Sequence, residues 1–214
     1  VVAPRVLPVL QAWPSPLVIA TGKSFPYPVG LCEFFGLDQY VVAENGGVVL
    51  AGREGPIHME GDPEAARAVA TELAERGYGL GWGEADLVNR WRETEVAVSR
   101  EVPKGVVEEL AAAQGLQVFD TGFAYHVTSP TVSKGRGLAR LSDSLGLDPA
   151  DFVAVGDSEN DVPTFEVVDR AVAVANADDA AKEAADHVTA DRHADGFLAA
   201  VEWLLAAGGA GGTA

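Results

Sequence analysis

The chain has 214 residues, with 32 acidic against 15 basic side chains, a formal net charge of -17 and a single cysteine, Cys32. Such a balance excludes a surface built for nucleic acid or anionic membranes, which need basic patches, and one cysteine excludes an internal disulfide. Hydrophobic residues make up 48% of the sequence but no run reaches membrane-spanning length, so a soluble protein is expected, either one large domain or a core with a smaller second domain.

The first stretch, "VVAPRVLPVLQAW", reads as a short helix entered through Pro4, with no charged leader ahead of an apolar segment; a cytoplasmic location is expected. "PLVIATG" (16–22) reads as a strand ending in a loop, and "PYPVGLCEFFGL" (26–37) as a helix begun by prolines and closed near Gly36. "YVVAENGGVVL" (40–50) reads as two strands around a Gly-Gly turn. Asp62-Pro63 is a helix start, with a capping side chain before proline at the first helical position, and that helix is expected to stop at Gly77. Next come strands at 85–89 and 94–99, a helix at 103–114, and strands at 116–120 and 124–129. After residue 130 the βα alternation resumes: a helix over about 134–145, a strand at 152–156, a helix at 161–168, a strand at 171–175, a helix at 178–185, a short strand near 187–189 and a helix at 195–206. The pattern predicts an α/β fold, a Rossmann-like, mostly parallel sheet core interrupted by an α+β unit of order αββαββ. The expected divisions are 1–54 and 130–206 for the core, 55–129 for the inserted unit, and 207–214 for a flexible glycine-rich tail.

In open α/β sheets the carboxyl ends of strands gather into one crevice, where ligands bind. Thr21 and Gly22 follow one strand and Asp157 follows another, while Lys134 opens a helix. In "FVAVGDSENDVPTF" (152–165), Asp157 and Asp161 stand at a strand exit and on the next helical turn. Two carboxylates sharing a small space call for a cation, and Mg²⁺ is a hard ion suited to oxygen ligands; a turn with Ser158 capping the helix satisfies the same residues, and the chemistry alone leaves both open. Glu159 reads as solvent-facing. A hydroxyl and open backbone N–H groups at Thr21-Gly22 can hold phosphate oxygens, although a nucleotide-binding P-loop at "TGKS" fails because position 17 is Leu rather than Gly. Lys134 at a helix start is opposed by the helix dipole unless an anion binds there. Arg90 and Arg92, around Trp91, share one face if 89–94 is a strand, and form an anion contact or surface salt bridges. His126 reads as a packed strand residue, and His58, His187 and His193 lack metal-site spacing.

Four stretches, "VIATGKS", "VVAENGG", "SKGRGLARL" and "VAVGDSENDVPTF", together resemble the haloacid dehalogenase superfamily of aspartate-nucleophile phosphatases, and the insert resembles that family's second type of cap. "NRWRE" and "YHV" in so short a cap are most similar to the archaeal phosphoglycolate phosphatases within it. The resemblance implies a Mg²⁺-dependent phosphate monoester hydrolase acting through an aspartyl-phosphate, with a phosphosugar phosphatase or a non-hydrolytic phospho-ligand binder as alternatives. It implies Asp157 as direct metal ligand, Asp161 as ligand or close support, and Lys134 and Thr21 as catalytic groups on the phosphate. Gly22, Asn45, Arg90 and Arg92 become substrate-binding candidates, and Asn160 a near-site polar residue. The partner is a small phosphorylated substrate, and a homodimer is left open. The family's Asp-x-Asp nucleophile motif and its strand are expected ahead of residue 1, outside this sequence.

The acid excess, with only Lys23, Lys104, Lys134 and Lys182 as lysines, points to a high-salt cytoplasm. At about 1 M salt the Debye length falls to about 3 Å and repulsion among the acids is screened. Folding stability, followed by thermal melting against KCl, is therefore expected to climb steeply; a flat curve would remove this reading.

Overall fold

The computed structural model describes residues 3–208. A 3-10 turn at Pro4–Val6 leads into α1 (Leu7–Ala12), and β1 (Val18–Ala20) follows. Helix α2 (Pro26–Phe35) ends where Gly36 turns left-handed at φ 66°, a conformation glycine adopts without a Cβ penalty. It returns the chain to β2 (Tyr40–Ala43), parallel to β1 with Ile19 opposite Val41. β3 (Val48–Ala51) runs back antiparallel to β2, and β4 (Ile57–Met59) adds to its far side. β4 thus extends the core sheet within the stretch expected to open the insert.

The hairpin β2–β3 is buried on both faces, with the period of two that a strand imposes. Val41, Ala43, Val48 and Leu50 pack on Cys32 of α2. Val42, Val49 and Ala51 pack the other way, on Leu138 and Leu141.

The inserted unit begins with α3 (Pro63–Glu75), where the Asp62 carboxylate accepts the Ala65 N–H at 2.9 Å. β5 (Val96–Ser99), α4 (Lys104–Ala113), β6 (Gln117–Asp120) and β7 (Ala124–Thr128) complete it, in an antiparallel sheet of order β5-β7-β6. Ala66, Val69 and Leu73 of α3 and Val107, Leu110 and Ala111 of α4 form its core against Val96, Val98 and Val127.

The strand expected at 85–89 is a succession of turns, so the cap sheet has three strands. The reason lies on the open edge of β5. The Asn89 carboxamide accepts the Ala97 N–H at 2.7 Å and donates to the Ala97 carbonyl at 2.9 Å, while Trp82 Nε1 donates to that carbonyl at 2.8 Å. Side chains occupy the ladder groups a fourth strand would use, and an edge so covered needs none.

The chain re-enters the core through α5 (Lys134–Leu145), capped by Ser133. α5 lies very close to its neighbours: a Cβ on Gly135 would sit 1.9 Å from the Pro163 carbonyl oxygen, and one on Gly137 would sit 2.6 Å from Val42. Then come β8 (Val153–Gly156), α6 (Val162–Phe165), β9 (Arg170–Ala173), α7 (Asp179–Ala184), β10 (His187–Val188) and α8 (His193–Gly208). β8, β9 and β10 form a parallel sheet of order β10-β9-β8. The core strands thus fall into two hydrogen-bonded groups, with β1 and β8 each an edge, and α5 packs on β2 and β3 of the first group and on α6 beside the second. From residue 209 the expected tail lies outside the described residues. Among the described residues, no helix is long and apolar enough to cross a membrane.

Candidate active site

A cavity of about 440 Å³ opens between core and cap. The loop after β1 contributes Thr21, Gly22 and Lys23, and α2 contributes Tyr27; α5 and the loop after β8 contribute Lys134, Asp157 and Asn160; the cap contributes Arg92, Phe123 and His126. Strand ends far apart in sequence therefore do meet, as the βα topology demands. A second hollow, of about 590 Å³, lies by Arg5, Arg192, His193 and Asp195. Its charged side chains are exposed and Arg5 is already paired with Asp195 at 2.7 Å, so it has no comparable set of convergent groups.

Lys134 is the first residue of α5 and is buried. Its ammonium donates to Asp161 Oδ1 at 2.7 Å and to Asn160 Oδ1 at 3.0 Å. The other Asp161 oxygen accepts the N–H groups of Asp157 at 2.9 Å and Ser158 at 3.2 Å. Both oxygens of Asp161 are thus engaged, and this carboxylate fixes the lysine and the 157–158 loop together. Asp157 itself is open to the cavity. Partial desolvation and the Asp161 carboxylate push its carboxyl above the ordinary aspartate value, against the pull of Lys134; Asp178 adds to the rise and His193 opposes it. A carboxylate so placed favours a nearby cation. Among the described residues no group of three or more His, Cys, Asp or Glu converges to cage one. That donor set fits Mg²⁺, which keeps several waters and takes one or two carboxylates plus substrate oxygens.

Thr21 has its N–H fixed on the Val42 carbonyl at 2.8 Å, and its hydroxyl accepts the Lys23 N–H at 3.2 Å. A Cβ on Gly22 would lie 2.9 Å from Asn45 Oδ1, so a larger residue there would displace the Asn45 amide. Asn45 does not reach the cavity wall; it links Asn160, whose amide donates to its Oδ1 at 3.0 Å, to Glu95, which accepts from its amide at 3.0 Å. Glu159 is exposed, as read from the sequence.

The arginines depart from expectation. Residues 89–92 are turns, so Arg90 and Arg92 do not share a strand face. Arg90 is exposed and lies outside the cavity lining. The Arg92 side chain is 4% exposed; its Nε donates to the Val88 carbonyl at 3.1 Å, and its Nη1 donates to the Gly22 carbonyl at 3.0 Å and to the Glu95 carboxylate. Trp91 instead meets Tyr27 edge-on, with ring centroids 6.2 Å apart.

Two buried groups, Glu44 and Glu95, escaped the sequence reading. Glu44, in the β2–β3 turn, accepts the N–H groups of Phe25, Glu93 and Thr94 and the Thr94 hydroxyl. Glu95 is joined by Arg92, Asn45 and His126, whose Nδ1 is 2.8 Å away. His126 is packed in its strand as expected, and it also lines the cavity. The available signal was an acid inside the apolar run "TEVAVS", matched by a histidine inside "AYHVT"; the β5–β7 register that brings them together is invisible in one sequence.

Residues 95–201 match the model of the haloacid dehalogenase-like hydrolases. The chain is 57% identical to the phosphoglycolate phosphatase of Haloarcula marismortui and 55% identical to that of Halobacterium salinarum, over 92% of this chain and 87% of each relative. The chain belongs to the haloacid dehalogenase-like hydrolases. It is an enzyme of the phosphatase type. Its fold agrees with solved structures of a Thermoplasma acidophilum protein (TM-score 0.80, 22% identity, 97% of this chain and 90% of that one) and of a haloacid dehalogenase-like hydrolase from Bacteroides thetaiotaomicron (TM-score 0.67, 18% identity, 94% and 90%). In this hydrolase the motif-bearing Thr21, Lys134 and Asp157 all face one cavity, closed on its far side by the cap.

Proposed function

We propose that the protein hydrolyses 2-phosphoglycolate to glycolate and phosphate through an aspartyl-phosphate, with Mg²⁺ as cofactor. The observation that carries this reading is the convergence of Thr21, Lys134 and Asp157 from three separate segments on one cavity. The names of the relatives supply the substrate. The Thr21 hydroxyl and the Gly22 N–H hold the transferring phosphoryl group. Lys134 neutralises the negative charge shared by the phosphate and the attacking carboxylate, which is most of what phosphoryl transfer asks of a protein. Asp157 would hold Mg²⁺, supported by Asp161 through the 157–158 backbone; the bound ion supplies further charge neutralisation on the phosphoryl oxygens.

The attacking carboxylate belongs, on the resemblance, to a strand ahead of residue 1, and β1 and β8 each offer a strand edge in the core. Attack forms the acyl phosphate and releases the alcohol, and water then cleaves the intermediate. Phosphate release from 2-phosphoglycolate is therefore expected from a form extended upstream through an Asp-x-Asp pair, and not from the 214 residues alone. Equal turnover by both forms would remove the upstream nucleophile. Faster turnover of phosphosugars than of 2-phosphoglycolate would replace the substrate.

A further inference from the structure

His126 sits on β7, the central strand of the cap sheet, between Ala97 of β5 and Phe119 of β6. Its side chain is 3% exposed, and that of Glu95 is wholly buried. Burial alone would push the Glu95 carboxyl up; the charge and hydrogen bond of His126, the Arg92 guanidinium and the Asn45 amide outweigh it and hold the group below the usual carboxylate range. An ionised carboxylate only accepts, so His126 Nδ1 carries its hydrogen toward Glu95. This fixes the ring's orientation, as a carboxylate behind a functional histidine does elsewhere.

The second ring nitrogen, Nε2, has no hydrogen-bond partner among the described residues, and the ring lines the cavity. Arg92, the other cap cation on the cavity, has Nε and Nη1 engaged with Val88, Gly22 and Glu95. It ties the cap to the loop after β1. His126 Nε2 and Arg92 Nη2 are then the nitrogens of these two cap groups left for a ligand, in the cavity shared with Thr21, Lys134 and Asp157, and His126 is the one whose ring is held by a buried carboxylate. The nitrogen opens on the cavity, where a ligand acceptor could pair with it.

Resting on the phosphatase reading above, we infer that His126, oriented by Glu95, is a specificity-determining residue that binds, as an imidazolium with Nδ1–H on Glu95 and Nε2–H on the ligand, the carboxylate at the far end of a small carboxylated phosphate ester. Thr21 and Lys134 hold the phosphate end, and His126 measures the organic end. The pair sorts acid-bearing esters from neutral ones of the same length.

Equilibrium binding to the 214-residue protein, in Mg²⁺, tests this with two probes: 2-phosphoglycolate and ethyl phosphate, which carries a methyl group in place of the carboxylate. The wild type is expected to prefer 2-phosphoglycolate by about tenfold to a hundredfold, the range of one charge-assisted hydrogen bond. His126→Gln should lose affinity for 2-phosphoglycolate by that factor and for ethyl phosphate by much less, and Glu95→Gln should follow in the same direction. Equal losses for both probes, or an undiminished preference, would overturn the inference. Binding of neither probe by the wild type would overturn the phosphatase reading, and this inference with it. A measurement on the wild type needs no variant to fold. In the complex with 2-phosphoglycolate both imidazole nitrogens of His126 should carry a hydrogen in the nitrogen resonance spectrum; a complex in which Nε2 carries none would also overturn the assignment.

Discussion

Asp157→Asn is expected to lower Mg²⁺-dependent phosphate release by about a thousandfold, in the form of the protein that carries the nucleophile. The figure follows from the several kcal/mol that a bound divalent ion contributes to transition-state charge and from about 1.4 kcal/mol per tenfold in rate. The structure explains why Asp157 rather than Asp161 is the sensitive position. Asp161 has one oxygen on Lys134 and the other on two backbone N–H groups, whereas the Asp157 carboxylate is open to the cavity. Asparagine retains the shape of Asp157 but carries no charge, so the fold should be undisturbed. The loss should also be visible without turnover, as weakened Mg²⁺ binding by calorimetry on the 214-residue protein. Turnover and Mg²⁺ affinity both unchanged would refute the metal assignment.

The cavity also gathers cations in a molecule that is acidic overall. In a chain of formal charge -17 with 15 bases, Lys23, Arg92 and Lys134 all line this one cavity. A charge of that size repels an anionic substrate at long range. Salt screens the long-range part far more than it screens partly buried groups at contact distance. A saline medium is therefore expected to favour the substrate as well as the fold.

Much of this site could be read from the residues alone, because its parts are local. A strand running into Thr21-Gly22, a helix opening at Lys134, and a strand ending at Asp157 each declare themselves within about ten residues, and parallel topology brings such ends together. Helix α5 was expected over about 134–145 and runs Lys134–Leu145. The insert was harder. Its segment 85–89 has strand-like composition, but Asn89 closes the edge of β5 with its side chain, a choice fixed by a tertiary contact eight residues on. Glu44 was equally hidden. The turn was read as Gly-Gly, yet Glu44 and Asn45 are left-handed, at φ 50° and 56°. A glutamate tolerates that conformation only when something over-determines it, and here the cap donors lie about fifty residues away, in the segment that leads into β5.

Those donors make Glu44 the fastening between the two parts of the molecule. Its oxygens accept the N–H of Glu93 at 3.0 Å and the N–H and hydroxyl of Thr94, each at 2.9 Å. Burial pushes its carboxyl up and the neighbouring Glu95 adds to this, while the N–H groups of Thr94 and Glu93 and the Thr94 hydroxyl oppose them. Glu44→Gln should destabilise the protein by about 2–3 kcal/mol, since one oxygen becomes a donor facing other donors and each buried group left unpaired costs about 1–3 kcal/mol. The residue beyond Thr94 is Glu95, so loosening this joint also frees the support of His126. The variant should therefore show a lower midpoint in chemical denaturation, and its preference for 2-phosphoglycolate over ethyl phosphate should shrink even though Glu44 lies outside the cavity lining. A midpoint within error of the wild type would mean that the cap is held by its other contacts with the core, the Arg92–Gly22 hydrogen bond and the Tyr27–Trp91 pair among them, and that Glu44 fastens nothing.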